Sequence, residues 1–143
     1  MNGAFNTSNL TVSDERNNAA HMFSVLSRME TEIVQILSDL GIPDHIKAHA
    51  YLKEMILTAV NDPSASTPYE RLAREDNVTK PFVHSTIRDA IGTYLSKDYK
   101  SILSDHFGHP VQNERARPTA EELVEMIATN LRLKYQSQPE TAN

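Results

Sequence analysis

Apolar residues recur three and four positions apart along most of this chain and scarcely anywhere in strict alternation, which predicts helices rather than strands. From about Ala19 to Leu40 the spacing is that of a heptad, with Met22, Leu26, Met29, Ile33, Ile36 and Leu40 separated by alternating steps of four and three. Phe23, Val25 and Leu37 widen that face beyond a narrow seam, so Ile33 to Leu40 is expected to pack on its own domain. Pairing of two copies through Met22 to Met29 stays open. Gly41 ends this helix. A second begins at Pro43 and runs to about Asn61, offering Ile46, Ala50, Leu52, Ile56, Leu57 and Val60 for burial.

After a loop, Asn61 to Ser66, the stretch Thr67 to Leu95 has the form of a helix-turn-helix. Thr67-Pro68-Tyr69-Glu70 reads as a capping box with Pro at the first helical position, and Leu72 and Ala73 face inward. Asp76-Asn77 breaks the pattern, since Asn tolerates the left-handed conformation of a tight interhelical turn. Val78 is the expected apolar plug of that turn. The next helix starts between Thr79 and Pro81, where Pro removes an amide that has no intrahelical partner. Val83, Ile87, Ala90, Ile91, Tyr94 and Leu95 form its expected buried stripe, and Lys80, His84, Ser85, Arg88 and Asp89 its polar face.

Lys97 to Phe107 reads as a short helix, followed by an irregular connection, GHPVQNERARP. Thr119-Ala120-Glu121-Glu122 is a second capping box. It opens a final helix to about Tyr135, with Leu123, Ile127 and Leu131, joined by Val124 and Met126, facing in. Residues 1–18, rich in Asn, Ser and Thr without periodicity, are expected to be disordered, and 137–143 to be a polar tail. The expectation is an all-α, six-helix single domain over 19–136 with an extended N-terminal helix.

Only 6% of residues are aromatic and none is Trp, so aliphatic side chains must fill the core. The absence of Cys removes disulfides and thiolate chemistry and suits a cytoplasmic protein. There is no signal pattern and no apolar run near the length of a membrane span. The formal net charge of -5 runs against nucleic-acid binding, whose affinity comes from Lys and Arg neutralising phosphates. Charge is uneven, however. Residues 79–100 carry Lys80, Arg88, Lys97 and Lys100 against Asp89 and Asp98, Arg115 and Arg117 follow, and the acids gather at Glu121, Glu122 and Glu125.

No glycine-rich phosphate loop, nucleophile elbow or carboxylate set at metal spacing is present, so neither an enzyme nor a bound cofactor or small-molecule substrate is expected. His45 and His49 stand at i, i+4, a spacing that can bind zinc, but a catalytic zinc commonly takes three protein ligands. Solvated or capped histidines are the simpler account of these and of His106 and His109.

ILSDLGIPDHIKAHAYLKEMI, a helix-turn-helix ending IRDAI, ILSDHFG and ARPTAEELVEMIATNLRLKY follow in that order. Over Ile33 to Tyr135 the chain thereby resembles the C-terminal effector domain of the master sporulation response regulator of Gram-positive spore formers, the sporulation initiation factor A family. The resemblance implies a six-helical, cytoplasmic transcription regulator that binds double-stranded DNA, often as tandem copies on adjacent sites. Residues 1–32 leave no room for that family's receiver domain, so phosphorylation is not expected to switch this chain, and Met22 to Met29 would supply constitutive pairing instead.

The family places Arg, then Glu-Arg, then Arg-His on its groove-facing side. Here those positions hold Phe82, His84-Ser85 and Arg88-Asp89, so only Arg88 persists and a different target is expected. Arg88 is the expected base contact, with His84 and Ser85 as hydrogen-bonding partners. Phe82 either meets a thymine methyl or is a core residue displaced by one position. Thr79, Lys80, Lys97 and Lys100 are assigned to phosphates. The alternative is an interaction module that kept the fold, lost DNA, and pairs with or titrates a full-length relative.

Overall fold

The computed structural model describes residues 2–136, with side chains from residue 19 onward; Met1 and the expected polar tail at 137–143 lie outside the described residues. The described chain is all-α, with helices α1 (Asn2–Asp39), α2 (Lys47–Asn61), α3 (Tyr69–Asp76), α4 (Lys80–Tyr94), α5 (Tyr99–Phe107) and α6 (Ala120–Gln136). It divides into two units, 1–32 and 33–143.

The first unit is helical from Asn2, where the sequence shows no periodicity over 1–18. Extending an existing helix adds one hydrogen bond per residue ordered, whereas nucleating one within so polar a segment would be unfavourable. Further along this unit Met22 and Phe23 are exposed, at 60% and 75%.

In the second unit Ile33, Ile36, Leu37 and Leu40 are buried, as the wide apolar face of that helix predicts. They share the core with Leu52, Ile56, Ile87, Leu103, Leu123, Ile127 and Leu131. Each such side chain stabilises the fold by about 1.5–3 kcal/mol through removal from water. α4 is central, packing against α2, α3 and α6, while α5 packs on α6.

Helix ends follow local chemistry in most places. α1 closes in a Schellman turn, where Gly41 takes φ +98 while its N–H donates to Ser38 O and the Ile42 N–H to Leu37 O. At α6 the Thr119 Oγ accepts from the Glu122 N–H at 3.1 Å and the Glu122 carboxylate accepts from the Thr119 N–H at 2.9 Å, a complete capping box.

Three expectations need correction. No capping box forms at Thr67: α3 starts at Tyr69, with Pro68 in the cap position and no side-chain cap. α2 starts at Lys47 rather than Pro43, and its buried face runs through Ala48, Tyr51, Leu52, Met55 and Ile56. That register leaves Ile46 and Leu57 half-buried and Ala50 exposed. Tyr94 is 43% exposed, because the chain leaves the helix after it and Leu95 takes the inward place instead.

Of the His45–His49 pair, His45 precedes α2 and is exposed, whereas His49 is buried. The pair therefore does not converge on one face. His49 hydrogen-bonds to the backbone at Val34, while its Nε2 is buried without a partner. Burial lowers its pKa from the ordinary 6.5, opposed by nearby Asp44 and reinforced by Lys53. The unfolded chain therefore binds more protons below that value, so the stability held by neutral His49 is complete above pH 6.5 and is lost as the pH falls through it. The melting temperature should fall more steeply from pH 7 to pH 5 than in His49→Leu. Parallel curves would contradict this role for the imidazole.

Candidate nucleic-acid interface

α3 and α4 are joined by a turn of Asn77 and Val78, with Asn77 in the left-handed region at φ 57 and the Val78 N–H donating to Ala73 O at 2.9 Å. Val78 is half-buried in it. The turn is anchored to α2 through Asp76, whose carboxylate accepts from the Tyr51 hydroxyl at 2.7 Å and pairs with Lys47 at 3.0 Å. These partners hold the Asp76 pKa down, the Tyr51 hydrogen bond foremost. The Tyr51 phenol is pushed up to about 12, chiefly by burial and then by Asp76, so it remains a donor throughout the physiological range.

α4 opens with Thr79 as its N-cap. Its hydroxyl oxygen accepts from the Phe82 N–H at 3.2 Å. Along the helix Val83, Ile87, Ala90 and Ile91 are buried against the body, and Lys80, Pro81, Phe82, His84, Arg88 and Asp89 are exposed. A shallow open recess runs along that outer side, lined by Lys80, Phe82, His84, Ser85 and Arg88 among others. The two edges of this helix are thus separated as an amphipathic reading helix requires.

Each expected contact residue has a definite place. Arg88 is 75% exposed, and its 3.9 Å approach to the equally exposed Asp89 is a weak surface pair that a stronger partner can displace. Phe82 is 49% exposed, which excludes the core alternative, because Val83 occupies the inward position beside it. Ser85 is half-buried, with its hydroxyl donating back to Phe82 O at 3.3 Å. His84 lies flat on Tyr69 of α3, ring centroids 3.6 Å apart and planes 24° from parallel.

The cations behave less uniformly than their positions in the sequence suggest. Lys80 and Lys97 are exposed. Lys100 is half-buried, with its ammonium donating to Asn113 O at 2.7 Å, which turns it toward the loop before α6. Arg115 pairs with Glu122 at 2.8 Å, and Arg117 donates to Ile91 O and Leu95 O at 3.3 and 3.1 Å. Arg117 thereby adds a second donor at Ile91 O, which already accepts from the Leu95 N–H, and supplies one to Leu95 O, a use of guanidinium favoured at a helix C-terminus. The basic surface beside α4 is accordingly smaller than the sequence count implies.

The far end of α4 is held from a second side, where the Ser96 N–H donates to Leu40 O at 2.8 Å. Sequence reasoning also passed over Arg74. It stands exposed in the last turn of α3, just ahead of the interhelical turn, and its only signal was its place three residues before Asn77. No helix among the described residues is long and apolar enough to cross a membrane. A family model described as the C-terminal domain of the sporulation initiation factor Spo0A matches residues 33–131.

Proposed function

This chain belongs to the Spo0A C-terminal family of DNA-binding effector domains, a regulatory and not an enzymatic class, and from that premise we propose that it is a sequence-specific transcription regulator. The observation that carries this reading is the division of α4 into a buried Val83–Ile87–Ile91 edge and an exposed edge bearing Arg88. That edge is exposed among the described residues.

In this reading α4 enters the major groove N-terminal half first, and Arg88 makes the base contact, with His84 and Ser85 as hydrogen-bonding neighbours. Phe82 meets a thymine methyl group, the apolar feature that the groove offers an exposed aromatic ring. Thr79, Lys80 and Lys97 serve phosphates. Lys100 moves from phosphate contact to bracing the loop at Asn113. Two copies on adjacent sites, paired through exposed Met22, Phe23 and Leu26, belong to the same proposal. A monomeric mass in light scattering at micromolar concentration would remove that pairing.

Selection of bound duplexes from a random pool tests the reading. A preferred sequence should emerge, and affinity should fall with salt at a log–log slope of about -0.9 for each phosphate neutralised. Flow-through of the protein on immobilised duplex at low salt would overturn it in favour of the interaction module.

A further inference from the structure

His84 is exposed, yet its ring is not left to rotate: it is stacked on Tyr69. Tyr69 is the first residue of α3 and is itself buried at 8% exposure. Its hydroxyl donates a hydrogen bond to the Glu121 carboxylate in the first turn of α6. Burial, and after it Glu121, raises the phenol pKa well above its usual range, so the group stays protonated and the hydrogen bond persists. Three helices thus meet in one line, from carboxylate to phenol to imidazole. Its outer end lies in the recess that also holds Lys80, Phe82 and Arg88.

We propose that Tyr69 is a positioning residue for nucleic-acid recognition, seating the imidazole of His84 so that a ring N–H is presented in a fixed direction to a hydrogen-bond acceptor on the duplex. The inference rests on the DNA-binding reading of α4. The physical reason is entropic as much as geometric. A histidine on an exposed helical face must give up rotamer freedom when it binds, which weakens the complex. A stack already made in the free protein removes most of that cost, because the aromatic pair holds the ring before the duplex arrives. Glu121 in turn fixes the ring that does the seating. The sequence order conceals this device, because Tyr69, His84 and Glu121 belong to three separate helices.

The test is a double-mutant cycle on a duplex selected with the wild-type chain, read together with the His84 ring-proton resonances. Tyr69→Leu and His84→Ala should each weaken binding three- to tenfold (about 0.7–1.4 kcal/mol), and the double variant should be no weaker than His84→Ala alone. Tyr69→Phe, which keeps the ring and loses only the Glu121 bond, should restore binding to within about twofold of wild type. The His84 resonances should be shifted by the tyrosine ring current in the wild type and in Tyr69→Phe, and should return to ordinary positions in Tyr69→Leu. Tyr69→Met, which keeps bulk without a ring face, replaces the leucine variant if that one does not fold.

A loss in the leucine variant that persists undiminished when His84 is already alanine would make Tyr69 merely structural and overturn the proposal. Unshifted His84 resonances in the wild type would do the same. A salt slope reduced in His84→Ala identifies the acceptor as a phosphate, and a relaxed sequence preference identifies it as a base edge; either supports the inference, and neither effect overturns it. A wild-type chain that binds no duplex at all overturns the regulator reading, and this role with it.

Discussion

Gly41→Ala is expected to lower the melting temperature by about 8–16 °C, from a loss of about 2–4 kcal/mol at roughly 4 °C per kcal/mol for a domain of this size. Two costs add at this position. Its φ of +98 lies in a region that side chains with a Cβ rarely adopt, and the added Cβ would stand 2.5 Å from the Tyr94 carbonyl oxygen, a backbone atom that cannot swing aside. Two other glycines separate these contributions. Gly108 has φ +78 but open space around the added atom, so Gly108→Ala should show the conformational cost alone, about 1 kcal/mol. Gly92 lies inside α4 with open space and an ordinary backbone, so Gly92→Ala should stabilise by about 0.4–1 kcal/mol. Thermal melts of the three variants should therefore rank 41 well below 108, and 108 below 92. If 41 and 108 were equal, the close approach of the α1–α2 connection to the end of α4 would not exist.

That close approach has a functional side. The same connection accepts the Ser96 N–H through Leu40 O, and Arg117 donates to Ile91 O and Leu95 O. α4 is thus clamped at its C-terminus while its N-terminal half is left exposed. In the proposed reading, rigid support at one end would let the other enter a groove in a fixed orientation.

What could be read from the sequence was what short-range rules decide. Asn77 in the left-handed turn, the start of α4 between Thr79 and Pro81, the Thr119–Glu122 box and the glycine closing α1 each depend on residues within a few positions of one another. The buried stripes of α4 and α6 follow from periodicity, which burial enforces. The departures have the opposite character. Thr67 failed as a cap although its motif is well formed: the helix begins at Tyr69, whose contacts to His84 and Glu121 come from distant parts of the chain. Lys100 and Arg117 count as basic surface until their acceptors are known, and those are backbone carbonyls 13, 22 and 26 positions away. Backbone carbonyls carry no residue-type signal, so charge counting overestimates the patch.

Arg88→Ala is expected to weaken binding to the selected duplex by about 5- to 150-fold, the equivalent of about 1–3 kcal/mol for one bidentate arginine–guanine contact. With the cations beside α4 reduced to few, Arg88 is the exposed side chain to which the proposed function assigns the base contact. Its pair with Asp89 is too exposed and too long to hold it back, so most of the contact energy is available to DNA. The loss should fall on sequence discrimination more than on retention by random duplex, and preference should relax at one base pair. Lys80→Ala provides the contrast: binding should weaken almost uniformly across sequences, and the salt slope should shrink by about 0.9. Asp89→Asn, which removes the opposing charge, should strengthen binding in the presence of Arg88 and do less in its absence. An Arg88→Ala protein that kept the wild-type preference would mean that the exposed edge of α4 does not read bases, and the assignment of this helix to the major groove would fail with it.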